Sequence, residues 1–230
     1  MLDEPLGLTV HTLPPVKGVV GGDAGRTRAG RLKMLAVLAV CAAPVIASYF
    51  TYYVIRPESR RNYGELIDPQ RPLPPITATS LQGRAMALPS LRGQWLLISA
   101  AGGACDARCE KHLYLQRQLR EGLGKEKERV DWVWLVTDDA PVRAALLPAL
   151  AQATVLRVDA RQLAQWLAPA NGSQLADHLY LVDPLGNWMM RFPASGTAEV
   201  DTAAAKNIKR DLDRLLRASE SWDQPGRPGH

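Results

Sequence analysis

The feature that most limits this chain is a charge-free apolar run, MLAVLAVCAAPVIASYFTYYVI, at residues 34–55. A helix rises 1.5 Å per residue, so a run of this length crosses a hydrocarbon core of about 30 Å. Tyr49, Tyr52 and Tyr53 gather at its C-terminal end, where amphipathic rings favour the membrane interface. Pro44 lies mid-span, a position that membrane helices accommodate. Arg26, Arg28, Arg31 and Lys33 precede the run, and Arg56, Arg60 and Arg61 follow it. The basic cluster on the N-terminal side predicts an N-terminus inside and a domain outside. Two other readings exist, a signal-peptidase site at Val45-Ile46-Ala47 and a lipoprotein box ending at Cys41. The apolar run continues past the first, and Val40 directly before Cys41 fits the second poorly.

The remainder divides by composition. Residues 1–33, with their Gly, Pro and polar content, read as a disordered tail, residues 56–75 as a linker closed by RPLPP, and residues 219–230 as a second tail. Residues 76–218 read as one folded domain. Two short strands flank a turn at Gly83, and WLLISA (95–100) is a buried strand bounded by glycines. A helix is predicted from Cys105 to about Glu121, then a strand over VDWVWLVT (130–137). Helices over 140–151 and 160–168 flank a strand at 154–158. HLYLVD (178–183) and NWMMRF (187–192) form a hairpin, and residues 200–218 form a last amphipathic helix. This order specifies an α/β domain of mixed sheet and helices. Positive charge is spread out: residues 1–33 carry five Lys/Arg against three acids, and residues 56–230 carry 23 against 20. No basic stripe with interleaved aromatics appears, so nucleic acid is not an expected partner.

Of three cysteines, Cys41 lies in the apolar run, which leaves Cys105 and Cys109 as a pair. One pair does not build a disulfide scaffold. On a helix a spacing of four puts both side chains on one face, where two thiolates grip a soft ion such as Cu(I) or close a disulfide. A helix start also lowers the pKa of a thiol at Cys105. His112 continues the spacing as i, i+4, i+7 and is a second candidate ligand, the alternative being a polar residue on a half-exposed helix. Asp106 either tunes the thiol or serves as a helix N-terminal acid. His178, at the start of HLYLVD, could offer an imidazole to a thiolate-bound metal.

Strand WLLISA, the Cys105-x-x-x-Cys109 motif, His178 and the turn in YLVDPLG (180–186) together resemble the thioredoxin fold, and more narrowly the SCO/SenC family of membrane-anchored cytochrome oxidase assembly proteins. The resemblance spans roughly residues 70–218. It implies a thioredoxin-like domain behind one N-terminal transmembrane helix, and copper held by Cys105, Cys109 and His178. It also implies an assembly factor or metallochaperone rather than a turnover enzyme. Its partner would be a copper-site subunit of cytochrome oxidase or another assembly protein, and its place the inner membrane with the domain in the periplasm. Asp106 and Glu110 follow the cysteines where that family usually has proline. A periplasmic thiol–disulfide oxidoreductase, with Cys105 attacking and Cys109 resolving, and a non-catalytic thioredoxin-like scaffold are the alternatives.

Overall fold

The computed structural model describes residues 24–55, 62–193, 201–223 and 226. The predicted tail before residue 24, the linker at 56–61, residues 194–200 and half of the C-terminal tail lie outside the described residues. Two compact units emerge, Met1–Ser59 and Arg60–His230. The first holds helix α1 (Ala24–Phe50), which continues as a π-helical turn at Thr51–Ile55. Its stretch Arg28–Tyr53 is long and apolar enough to cross a membrane. The helix begins ten residues before the apolar run, so Arg28, Arg31 and Lys33 stand on the helix itself, not in a tail. Tyr53 packs its ring 4.8 Å from those of Tyr49 and Tyr52.

In the second unit the strands are β1 (Glu65–Pro72), β2 (Thr77–Ser80), β3 (Ala85–Ala87), β4 (Trp95–Ala101), β5 (Val130–Val136), β6 (Thr154–Arg157), β7 (Tyr180–Val182) and β8 (Asn187–Arg191). Among the described residues they form one sheet ordered β1-β8-β7-β4-β5-β6-β2-β3. Strands β4, β5 and β6 run parallel, and every other pairing is antiparallel. The central pair is in register from Trp95 opposite Val130 to Ala101 opposite Val136. Both strands are buried on both faces, which explains their unbroken apolar sequence. Alternate residues feed two cores: Leu96, Ile98, Val133 and Leu135 meet α3 (Ala160–Trp166) through Leu163 and Trp166. On the other face Trp95 and Leu97 meet α2 (Ala107–Gly122) and α4 (Thr202–Ser219) through Leu115, Leu119, Ile208, Leu212 and Leu216.

Buried polar groups fix how these layers sit. Gln116 of α2 donates from Nε2 to the carbonyls of Leu97 (2.7 Å) and Val133 (3.1 Å), and its Oε1 accepts from Ser99 Oγ at 3.0 Å. That single side chain pins α2 across β4 and β5. Asp211 of α4 accepts the N–H groups of Tyr63 and Gly64 at 2.6 and 2.9 Å, so the start of the domain is fastened to its last helix.

Three expectations change. Residues 65–72, read as linker, form edge strand β1 against β8; its side chains are mostly exposed and it carries Pro69 and Pro72, which an edge position tolerates. The helix expected at 140–151 is only a 3-10 turn at Ala144–Leu146 within a run of turns. Pro148 has no N–H to donate to the Ala144 carbonyl, so the hydrogen-bond ladder is interrupted after the Leu147 N–H, although Leu147 itself is helical in backbone. The tail expected from residue 219 is partly structural, because buried Asp223 accepts from Trp95 Nε1 at 2.7 Å and from Arg129 Nη2 at 2.7 Å. Removing one partner of a buried ion pair leaves the other under-compensated, here Arg129 at 4% exposure, which keeps only the less buried Glu126 as an acidic partner. Asp223→Ala is therefore expected to cost about 3–5 kcal/mol in urea unfolding, with the denaturant slope unchanged.

Candidate functional site

The crossover from β4 through α2 to β5 places the start of α2 above the carboxyl ends of the two central strands, where open α/β sheets place their sites. Cys105 and Cys109 lie there, joined as a disulfide with Cα atoms 5.1 Å apart. Both are buried, at 3% and 4% exposure, in a cluster with Leu113, Trp132, Trp134, Val136, Leu150 and Val155. The pair does not share a helix face as expected. Helix α2 begins at Ala107, Asp106 is its N-cap, and Cys105 precedes the cap with a left-handed φ of 46°. Asp106 takes that place because its carboxylate accepts the Cys109 N–H at 2.9 Å. Cys109 thus occupies the helix's first turn, and Cys105 stands on the turn leading into it.

The charges near the sulfurs are largely spoken for. Arg108 pairs with Asp177, and Glu110 pairs with Arg143. The Asp106 carboxylate sits on the helix end whose dipole would favour a thiolate, and so offsets it. Asp177 is itself held low despite burial, which acts to raise it; a hydrogen bond from the Gln174 N–H and the Arg108 guanidinium outweigh that.

His178 is 1% exposed and both ring nitrogens are engaged with backbone. Nε2 accepts the Ala170 N–H at 3.1 Å, so in the neutral ring Nδ1 carries the proton and donates to the Phe192 carbonyl at 2.8 Å. Burial lowers its pKa, the Phe192 carbonyl partly opposing. A ring committed on both sides has no lone pair for a metal, so the ligand role expected of His178 is not met in this arrangement. His112 differs from expectation too: it is 2% exposed, and with Cys105 off the helix the i, i+4, i+7 face does not exist. Burial pushes its pKa down to about 4, with Lys111 adding to the shift and Asp177 opposing it. The disulfide leaves no thiolate to donate, and among the described residues no three His, Cys, Asp or Glu side chains gather as a metal site. A copper ion does not fit these residues in the oxidised state.

Asp138, Gly103 and Arg157 were not singled out from sequence, yet they shape the site. Asp138 accepts the Gly103 N–H at 2.7 Å, and a Cβ on Gly103 would collide with the Ala140 carbonyl. Only glycine lets these two segments approach so closely. The signal for it, a Gly102-Gly103 pair after a strand, is visible in sequence, but the partner is not.

His112 gives the site a measurable pH signature. An unfolded histidine takes a proton near pH 6.5, while the folded one refuses it until about pH 4. Between those values the unfolded state binds the extra proton, so stability falls as pH falls from 6.5 to 4, by on the order of 3 kcal/mol for this group. The difference in stability between wild type and His112→Gln, followed by denaturant titration, should change across that window and be flat above pH 7.

Comparison with known proteins agrees with this architecture. A family model described as transmembrane-like, thioredoxin-like, C-terminal domain matches residues 95–219, more than half of the chain. No curated protein matches the sequence. Sco-type proteins recur among the solved structures that it resembles. Apo Sco1 from Thermus thermophilus aligns with a TM-score of 0.50 and 20% identity over 69% of this chain and 99% of that one. Yeast Sco1 with copper bound aligns with a TM-score of 0.49 and 14% identity over 68% and 96%. The thioredoxin domain of a thiol-disulfide oxidoreductase from Bacteroides vulgatus gives 0.47 and 14% over 63% and 95%. At 20% identity the likeness to the Thermus thermophilus structure is one of fold alone. With its mixed sheet, its helices and the family match over 95–219, the chain belongs to the transmembrane-like, thioredoxin-like C-terminal domain family.

Proposed function

We propose that this chain is a membrane-anchored thiol–disulfide factor that serves assembly of a respiratory copper enzyme of the cytochrome oxidase type. Residues 34–55 hold it in the inner membrane, with residues 1–33 on the cytoplasmic side and the domain in the periplasm. The observation that carries the reading is the Cys105–Cys109 bond itself. It closes a loop of sequence separation 4 at the functional end of the sheet. On a chain-entropy account so short a loop contributes about 2 kcal/mol, against nearly 5 for a loop of about 100 residues. Such a bond does little to hold a domain with cores on both sheet faces. A redox role explains its position better.

In the working direction the Cys105 thiolate attacks a disulfide of the copper-site subunit. One partner sulfur leaves as a thiolate and takes a proton, and a mixed disulfide forms at Cys105. The Cys109 thiolate then attacks the Cys105 sulfur and releases the second partner thiol. Two electrons pass to the partner, whose thiols become competent ligands, and the chain is left in the oxidised state described above. A membrane dithiol donor returns it to the dithiol. Copper reaches the partner's site, and the committed ring of His178 supports a reading in which this chain works on thiols instead of carrying the ion.

In cells making a copper-containing oxidase, the Cys105→Ser, Cys109→Ser double variant should lose oxidase to the level of a deletion. Cys109→Ser alone should accumulate a disulfide-linked complex with a copper-site subunit, and His178→Asn at matched protein level should retain oxidase. Full oxidase activity in the double variant would mean a scaffold role. Equal loss in His178→Asn, with one copper bound by the wild-type protein, would return the account to metal carriage.

A further inference from the structure

The connection from β5 to β6, residues 138–153, crosses the face of the sheet on which the disulfide lies. Its inward residues Val142, Leu146 and Leu150 pack with Cys105 and Cys109 in one cluster, while Arg143, Leu147 and Pro148 face out. Besides that packing, its fastenings are few and polar. The Asp138 carboxylate accepts the N–H groups of Gly103 and Ala140, and Arg157 donates to the carbonyls of Asp138 and Ala140. Farther along, Arg143 pairs with Glu110, the residue after Cys109. The rest is a 3-10 turn and isolated turn bonds, without strand or α-helix. Segments built this way open at lower free energy than the sheet beneath them.

We propose that residues 138–153 are a strap that closes over the Cys105–Cys109 disulfide and must lift before any thiol reaches either sulfur. Attack on a disulfide needs an approach to sulfur along the S–S bond, and with the strap seated both cysteines are buried, at 3–4% exposure. The clasp at Asp138 and the tie at Arg143–Glu110 set how often it opens. The strap then limits exchange to partners that displace it, and protects the bond from small periplasmic thiols. This rests on the exchange reading above, but its test uses no partner protein, so the two can fail separately.

The test is the rate at which a trialkylphosphine reduces the disulfide in the full-length chain in detergent, with Cys41→Ser throughout and thiols trapped by maleimide. Wild type should react at least tenfold more slowly than an oxidised peptide containing the same Cys-x-x-x-Cys segment. Asp138→Ala should recover much of that difference. Arg143→Glu, at an exposed pair, should accelerate reduction about two- to fivefold, and the charge swap Arg143→Glu with Glu110→Arg should return the rate to that of wild type. Asp223→Ala weakens the fold on the far side of the domain and should leave the rate unchanged, since the opening is local. A wild-type rate equal to the peptide's, or a charge swap that restores nothing, overturns the strap. So does an Asp223→Ala acceleration matching that of Asp138→Ala, because reduction would then proceed through global unfolding.

Discussion

Everything at the candidate site follows from the parallel pairing of β4 with β5. Two adjacent parallel strands require a crossover, and one buried on both faces requires an apolar layer above it. Helix α2 supplies both, pinned by Gln116 to the carbonyls of Leu97 and Val133. Its first turn must then fall above the carboxyl ends of β4 and β5. The same geometry, repeated from β5 to β6, sends a second connection over the same end, and the disulfide is enclosed between the two.

The electrostatics of that enclosure are more balanced than a reactive dithiol suggests. A helix start favours thiolate, yet Asp106 caps it with a carboxylate, and Arg108 and Arg143 are each paired with an acid. His112 and His178 are both buried, and burial favours their neutral forms. With little fixed positive charge free to hold a thiolate, the oxidised form gains relative to the reduced one. On the proposed exchange function, control shifts from the intrinsic acidity of the cysteines to access and to the partner. The neutral, backbone-bound His178 also accounts for why a copper set assembled by resemblance does not form from these residues in the oxidised state.

What could be read from the sequence was whatever depends on local pattern. The apolar run that became most of α1, the doubly buried strands and the amphipathic α4 are written in their own residues. The Cys105-x-x-x-Cys109 pair and its neighbourhood were also legible. The exact start of α2 was not, because Asp106 decides it by a cap that competes with helical spacing two residues earlier. Strand β1 was hidden because an exposed edge strand with prolines has no alternation to show, and its partner β8 lies more than a hundred residues away. The turns at 140–151 carry helical spacing in Val142, Leu146 and Leu150, but Pro148 has no N–H to continue the ladder and only a 3-10 turn forms. Asp138 meeting Gly103, and Asp223 meeting Trp95 and Arg129, are long-range pairings that only the folded chain brings together.

The central claim is that Cys105–Cys109 is a working redox couple and not a structural staple. Its reduction potential, measured by equilibrating the full-length chain with dithiothreitol buffers and trapping the thiols, tests this directly. Structural disulfides of secreted proteins lie below about −300 mV, and labile or catalytic ones lie above. The account predicts a value above about −300 mV, with the domain still folded when the bond is reduced. A value below that limit, or unfolding on reduction, would contradict it.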